Sequence, residues 1–143
     1  MRISLGSDHA GVAYKSKIVE LLKSQNIEVE DFGPFSTDSV DYPDYIHPVA
    51  KNVEEGKADL GIVLCGSGNG AAMTANKYQG VRCGLVWTPK LAQLTRLHNN
   101  ANIISIPARF IDLETTLEIV KVFISTEFEA GRHQRRVDKI MYK

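Results

Sequence analysis

Apolar and polar positions follow two rhythms along the chain. Short apolar runs at 3–6, 27–32, 60–64, 83–87 and 103–106 read as strands. The run at 60–64 has no polar alternation, which suits a strand buried on both faces of a parallel sheet. The runs at 83–87 and 103–106 share that character, whereas the second strand alternates with Glu28 and Glu30 and is broken by Gly33-Pro34. Between the strands the spacing turns helical. Tyr14, Ile18, Leu21 and Leu22 predict a helix over 10–25, and a polar loop over 35–41 precedes a helix from Tyr42-Pro43-Asp44 to Gly56. Further helices are predicted over 89–97, around Leu113, Leu117, Val120 and Ile124, and over 132–142, where Val137, Ile140 and Met141 form a stripe.

Strands that alternate with helices predict an α/β fold with a five-stranded, mostly parallel sheet. No repeat or linker interrupts the chain, so residues 1–143 are expected to form one domain. Lys plus Arg equals Asp plus Glu at 17 each, which leaves no bulk footprint for nucleic acid or an anionic membrane. No run approaches the ~20 apolar residues of a membrane span. The N-terminus lacks the pattern of a signal peptide. Two cysteines make no disulfide framework, and a cytoplasmic setting, where a thiol stays free, is expected.

The segment Leu64-Cys65-Gly66-Ser67-Gly68-Asn69-Gly70-Ala71-Ala72 carries the clearest chemistry. A buried strand stops at a cysteine, and a glycine-rich turn leads into a helix. Such a turn aims several N–H groups at one point, and converging amides favour a thiolate. The competing reading is an inert buried cysteine beside a tight turn. A nucleotide loop is disfavoured: the P-loop lysine is missing, and glycines at every second position do not make G-x-G-x-x-G. Cys83, placed mid-strand, is assigned to the core.

Other polar residues join this picture by position. Asp8 and His9 follow the first strand and so share the carboxyl edge with Cys65, although Asp8 also suits a helix cap. Arg109 follows the fifth strand to the same edge. His98 closes a helix whose C-terminus stabilises a protonated imidazole, or it is a half-buried residue on the face of Leu91 and Leu94. Arg132 and Arg136, four apart, make either a phosphate clamp or a solvated basic face. His47 and His133 join no constellation.

Several motifs occur together in order: Gly6-Ser7-Asp8-His9-Ala10-Gly11, Asp41-Tyr42-Pro43, the Cys65 loop, Ala75-Asn76-Lys77, Gly80-Val81-Arg82, His98-Asn99-Asn100-Ala101-Asn102 and Gly131-Arg132-His133-Gln134-Arg135-Arg136. In this the chain resembles the ribose-5-phosphate isomerase B family, which includes galactose-6-phosphate isomerase subunits. The resemblance implies a Rossmann-like three-layer α/β/α sandwich. It implies a homodimer or tetramer with its sites at the dimer interface, a sugar-phosphate substrate, and neither metal nor organic cofactor. It implies interconversion of ribose 5-phosphate and ribulose 5-phosphate through an enediolate. Cys65 matches the proton-moving base, and Ala71 stands where a second branch has a glutamate. His98 matches the acid that opens the furanose ring. Asp8, His9, Gly66, Ser67, Gly68, Asn69, Gly70, Asn99, Arg109, Arg132 and Arg136 match substrate-binding positions. Ser67 replaces a frequent threonine but keeps the hydroxyl that receives enediolate charge. Two other readings stay open: isomerisation of a six-carbon phosphate (allose or galactose 6-phosphate), and a non-catalytic sugar-phosphate-binding module.

Overall fold

The computed structural model describes residues 1–142. The chain runs through β1 (Arg2–Ser7), a 3-10 turn (His9–Gly11), α1 (Val12–Ser24), β2 (Glu28–Asp31), α2 (Tyr42–Glu54), β3 (Leu60–Cys65) and α3 (Asn69–Ala75). It continues through β4 (Cys83–Leu85), α4 (Pro89–Asn99), β5 (Ile103–Pro107), α5 (Leu113–Ser125) and α6 (Arg132–Val137). The five strands form one sheet in the order β2-β1-β3-β5-β4, and every pairing is parallel.

Helix boundaries follow local chemistry. The Thr88 side chain accepts from the Leu91 N–H at 3.1 Å, with Pro89 next, so α4 starts there. Asn100, at φ 48°, ends it in the left-handed conformation. The Asp112 carboxylate accepts from the Thr115 N–H at 2.7 Å and starts α5.

Every residue of β3 is buried, and its side chains alternate between two cores. Ile62 and Leu64 pack with Ile18, Leu22, Ile119 and Phe123, beneath α1 and α5. Val63 and Cys65 pack with Ile46, Val49, Ala71 and Ala75, beneath α2 and α3. Ala92 of α4 joins the first core, so α4 covers the face opposite Cys65. The expected three-layer α/β/α sandwich around a parallel sheet is the observed fold. Among the described residues no helix is long and apolar enough to cross a membrane.

Two expectations need correction. Cys83 opens β4 rather than lying mid-strand, and it is only partly buried. On that edge strand the Asn76 side chain takes the place of a neighbour. Its Nδ2 donates to the Cys83 carbonyl at 2.9 Å, and its Oδ1 accepts from the Cys83 N–H at 2.8 Å. The last helix stops at Val137, because the Lys139 and Ile140 N–H groups donate to Arg136 and Val137 three residues back, each at 3.1 Å. The predicted stripe is therefore broken: Val137 is buried and Ile140 is 55% exposed.

Candidate active site

The strand order sets the carboxyl ends of β1, β3 and β5 side by side. Ser7 pairs with Leu64, and Cys65 pairs with Pro107. Backbone bonds continue past the strands. The Asp8 N–H donates to the Leu64 carbonyl at 3.1 Å, Ala108 to Cys65 at 3.0 Å, and Arg109 to Gly66 at 3.0 Å. Asp8, Cys65, Gly66 and Arg109 are thus held together at the edge where open α/β sheets receive ligands.

Cys65 is 4% exposed at the root of the glycine loop. Gly68 turns the loop into α3 with φ 77°. A Cβ there would lie 2.5 Å from Leu85 Cδ1 and 3.2 Å from the Pro107 nitrogen. The buried Ser105 hydroxyl of β5 donates to the Gly68 carbonyl at 2.7 Å and pins the turn. Ser67 and Asn69 are exposed, and the Ser67 hydroxyl accepts from the Asn69 N–H at 3.3 Å. A Cβ on Gly66 would sit 3.3 Å from Arg109 Cδ and Nη1, so the exposed arginine lies over the loop.

Neighbouring residues close this group. Asp8 is 9% exposed, and one carboxylate oxygen caps the 3-10 turn by accepting from the Ala10 N–H at 2.9 Å. The capping reading of Asp8 therefore holds for that oxygen. His9 Nδ1 accepts from the Val40 N–H at 3.2 Å, which assigns the ring proton to Nε2. Tyr42 packs its ring on Gly70, where an added Cβ would be 2.5 Å from its Cζ. Sequence reasoning used Tyr42 only to start a helix; its place in the Asp41-Tyr42-Pro43 motif was the available signal.

His98, Asn99, Arg132 and Arg136 lie elsewhere in the subunit. From Pro89 at the carboxyl edge, α4 runs back about 14 Å to His98. His98 is therefore at the amino edge, near the start of β5 and in the layer opposite Cys65. Its ring stacks on His133, with centroids 4.2 Å apart and planes 16° from parallel. Glu129 Oε2 lies 3.8 Å from His98 Nε2 and 3.5 Å from His133 Nε2. His133, dismissed from sequence, is 8% exposed. Burial holds its pKa below the usual value, helped by His98, Arg132 and Arg136, while Glu129 opposes the shift. Arg132 and Arg136 are exposed on α6, which packs on α4, and among the described residues no carboxylate pairs with either. The predicted residues thus form two groups, each at its own end of one subunit.

His98, Glu129 and His133 offer three ligand atoms within 4.8 Å of one another. Near-parallel stacked rings aim their in-plane lone pairs side by side rather than at one point, which suits a shared carboxylate better than a tetrahedral ion. Although Cys83 as a whole is partly buried, its thiol sits away from water, and that burial raises its pKa and disfavours the thiolate.

Residues 3–140 match the family model described as Ribose/Galactose Isomerase. The chain is similar to ribose-5-phosphate isomerase B of Escherichia coli, 40% identical over 97% of this chain and 93% of that protein. It superposes on a crystal structure of a Thermotoga maritima ribose 5-phosphate isomerase with TM-score 0.95 at 46% identity, covering 98% of this chain and 97% of that one. It also superposes on ribose-5-phosphate isomerase B from Mycoplasma genitalium with bound ribulose 5-phosphate, with TM-score 0.94 at 43% identity, covering 97% and 93%. With a matching model over nearly its whole length and such relatives, the chain belongs to the ribose/galactose isomerase family.

Proposed function

We infer that the chain is an aldose–ketose isomerase that interconverts ribose 5-phosphate and ribulose 5-phosphate. The similar protein bound to ribulose 5-phosphate supports this substrate class. The observation that carries the mechanism is the placement of Cys65, between Asp8 and Arg109 and beneath the glycine loop. A thiolate there takes the proton from C2 of the open sugar and returns it to C1, while the hydroxyl proton passes from O2 to O1. The Ser67 hydroxyl and the loop amides of residues 66–70 face the negative charge of the enediolate. The His9 Nε2–H and Arg109 hold the phosphate at this edge.

Ring opening comes first. His98 gives a proton to the ring oxygen, and Asp8 or a water removes one from the anomeric hydroxyl. His98 cannot reach the Cys65 of its own subunit from the far end of α4. A second copy of the chain therefore supplies His98, Asn99, Arg132 and Arg136. Exposed Trp87 (52%) and Phe110 (75%), beside Ser67 and Asn69, offer that copy an apolar surface to bury.

The test is turnover of ribose 5-phosphate without added metal, comparing the native protein with Cys65→Ala. The variant should lose on the order of 10²–10⁴ in rate while remaining folded. Full turnover in the variant removes Cys65 from the mechanism. A native protein active only on six-carbon phosphates replaces the substrate.

A further inference from the structure

We propose that Glu129 and His133 are positioning residues that hold the His98 imidazole in its ring-opening orientation, Glu129 through a carboxylate shared by both rings and His133 through stacking. The inference rests on the ring-opening role of His98 proposed above. An unheld histidine at a helix end, 39% exposed, would sample several rotamers.

Three features restrain it. First, the Glu129 N–H donates to the Leu97 carbonyl at 3.1 Å, which ties the α5–α6 connection to the turn that carries His98. Arg96 Nε adds a second tie to the Thr126 carbonyl at 3.0 Å. Second, Ala130 and Gly131 both have positive φ, 57° and 55°, and this sharp turn folds α6 back onto the end of α4. It brings His133 over His98, where its burial keeps it from swinging away. Third, Glu129 is the one carboxylate within 4.0 Å of either ring nitrogen among the described residues.

The charges assign distinct roles to the two rings. Stacked imidazoles at 4.2 Å do not both hold a proton cheaply. His133 is the buried member, and Arg132 and Arg136 of its own helix add positive charge beside it. His133 therefore serves as the neutral stacking face, and His98 is the more exposed ring, open to substrate. At 3.5 and 3.8 Å the carboxylate lies beyond hydrogen-bond length, so it orients the rings electrostatically.

The test separates ring opening from proton transfer. Ribulose 5-phosphate has its C5 oxygen phosphorylated and cannot close a furanose, so exchange of its C1 proton with solvent deuterium needs no ring opening. Glu129→Gln changes a side chain that is 58% exposed. It should lower turnover of ribose 5-phosphate about tenfold and leave C1 exchange within about twofold of native, the same split as His98→Asn. Equal losses in both assays, or no loss in either, overturn the proposal. A split in His98→Asn without one in Glu129→Gln removes this inference alone. A native protein without turnover removes the isomerase reading beneath it.

Discussion

Replacing Gly68 with alanine tests whether the turn after Cys65 is built by close packing. Two costs are legible at this position. Its φ of 77° imposes a left-handed strain of roughly 1 kcal/mol on an alanine. The new methyl would also lie 2.5 Å from Leu85 Cδ1, which can rotate away, and 3.2 Å from the Pro107 nitrogen, which cannot. Overpacking of that kind adds roughly 1–3 kcal/mol. Gly56 is the control, because its φ of 70° carries the same strain while nothing lies within 4 Å of an added Cβ. In a chain of this size each kcal/mol moves Tm by roughly 2–4 °C. Gly56→Ala should thus lower Tm by about 3 °C with native turnover, and Gly68→Ala by about 10 °C with turnover lost. Circular-dichroism melting and a ribose 5-phosphate assay read both. A Gly68→Ala protein that melts with Gly56→Ala, or that keeps native turnover, would refute the reasoning.

Other expectations follow from single contacts. Lys15 is 2% exposed and donates to both Asp31 oxygens at 2.7 Å, so Lys15→Met strands a partly buried carboxylate and should cost about 3 kcal/mol. Urea unfolding should show most of that loss recovered in Lys15→Met/Asp31→Asn; a single variant as stable as native contradicts the pairing. Because the folded pKa of His133 lies below its ordinary 6.5, the unfolded chain binds more protons below that pH. Its contribution to stability is complete above pH ~6.5 and is lost as pH falls through the folded value. His133→Gln should flatten the acid side of the Tm–pH curve, and parallel curves would count against the shift. Arg136→Ala should raise KM for ribose 5-phosphate at least about tenfold without moving Tm, since the side chain is exposed and no carboxylate among the described residues pairs with it. An unchanged KM would make this helix a solvated face.

Hydrophobic rhythm was enough to place the sheet and its helices, because buried parallel strands such as β3 leave continuous apolar runs. Rhythm also put Cys65, Asp8, His9 and Arg109 at one edge, since each ends a strand or comes within two residues of a strand end. It failed where side chains replace backbone partners. Asn76, which bonds the Cys83 backbone, read only as a motif residue. Ser105, which pins the glycine turn, read only as part of an apolar run. His133 was missed because its partners, His98 and Glu129, come from separate segments joined by a positive-φ turn that no periodicity reveals. The overlong last helix shows the same limit, since apolar spacing continued past Val137 after the backbone had turned.

The most direct test of the shared site is complementation between two inactive chains. Co-expressed Cys65→Ala and His98→Asn subunits, carrying different tags, would be purified as the mixed dimer. Each variant alone should be inactive on ribose 5-phosphate. The mixed dimer should recover about half the native rate, because one of its two sites pairs an intact Cys65 with the intact His98 of the other chain. A mixed dimer as inactive as its parents would mean that both residues act within one subunit, contradicting the account.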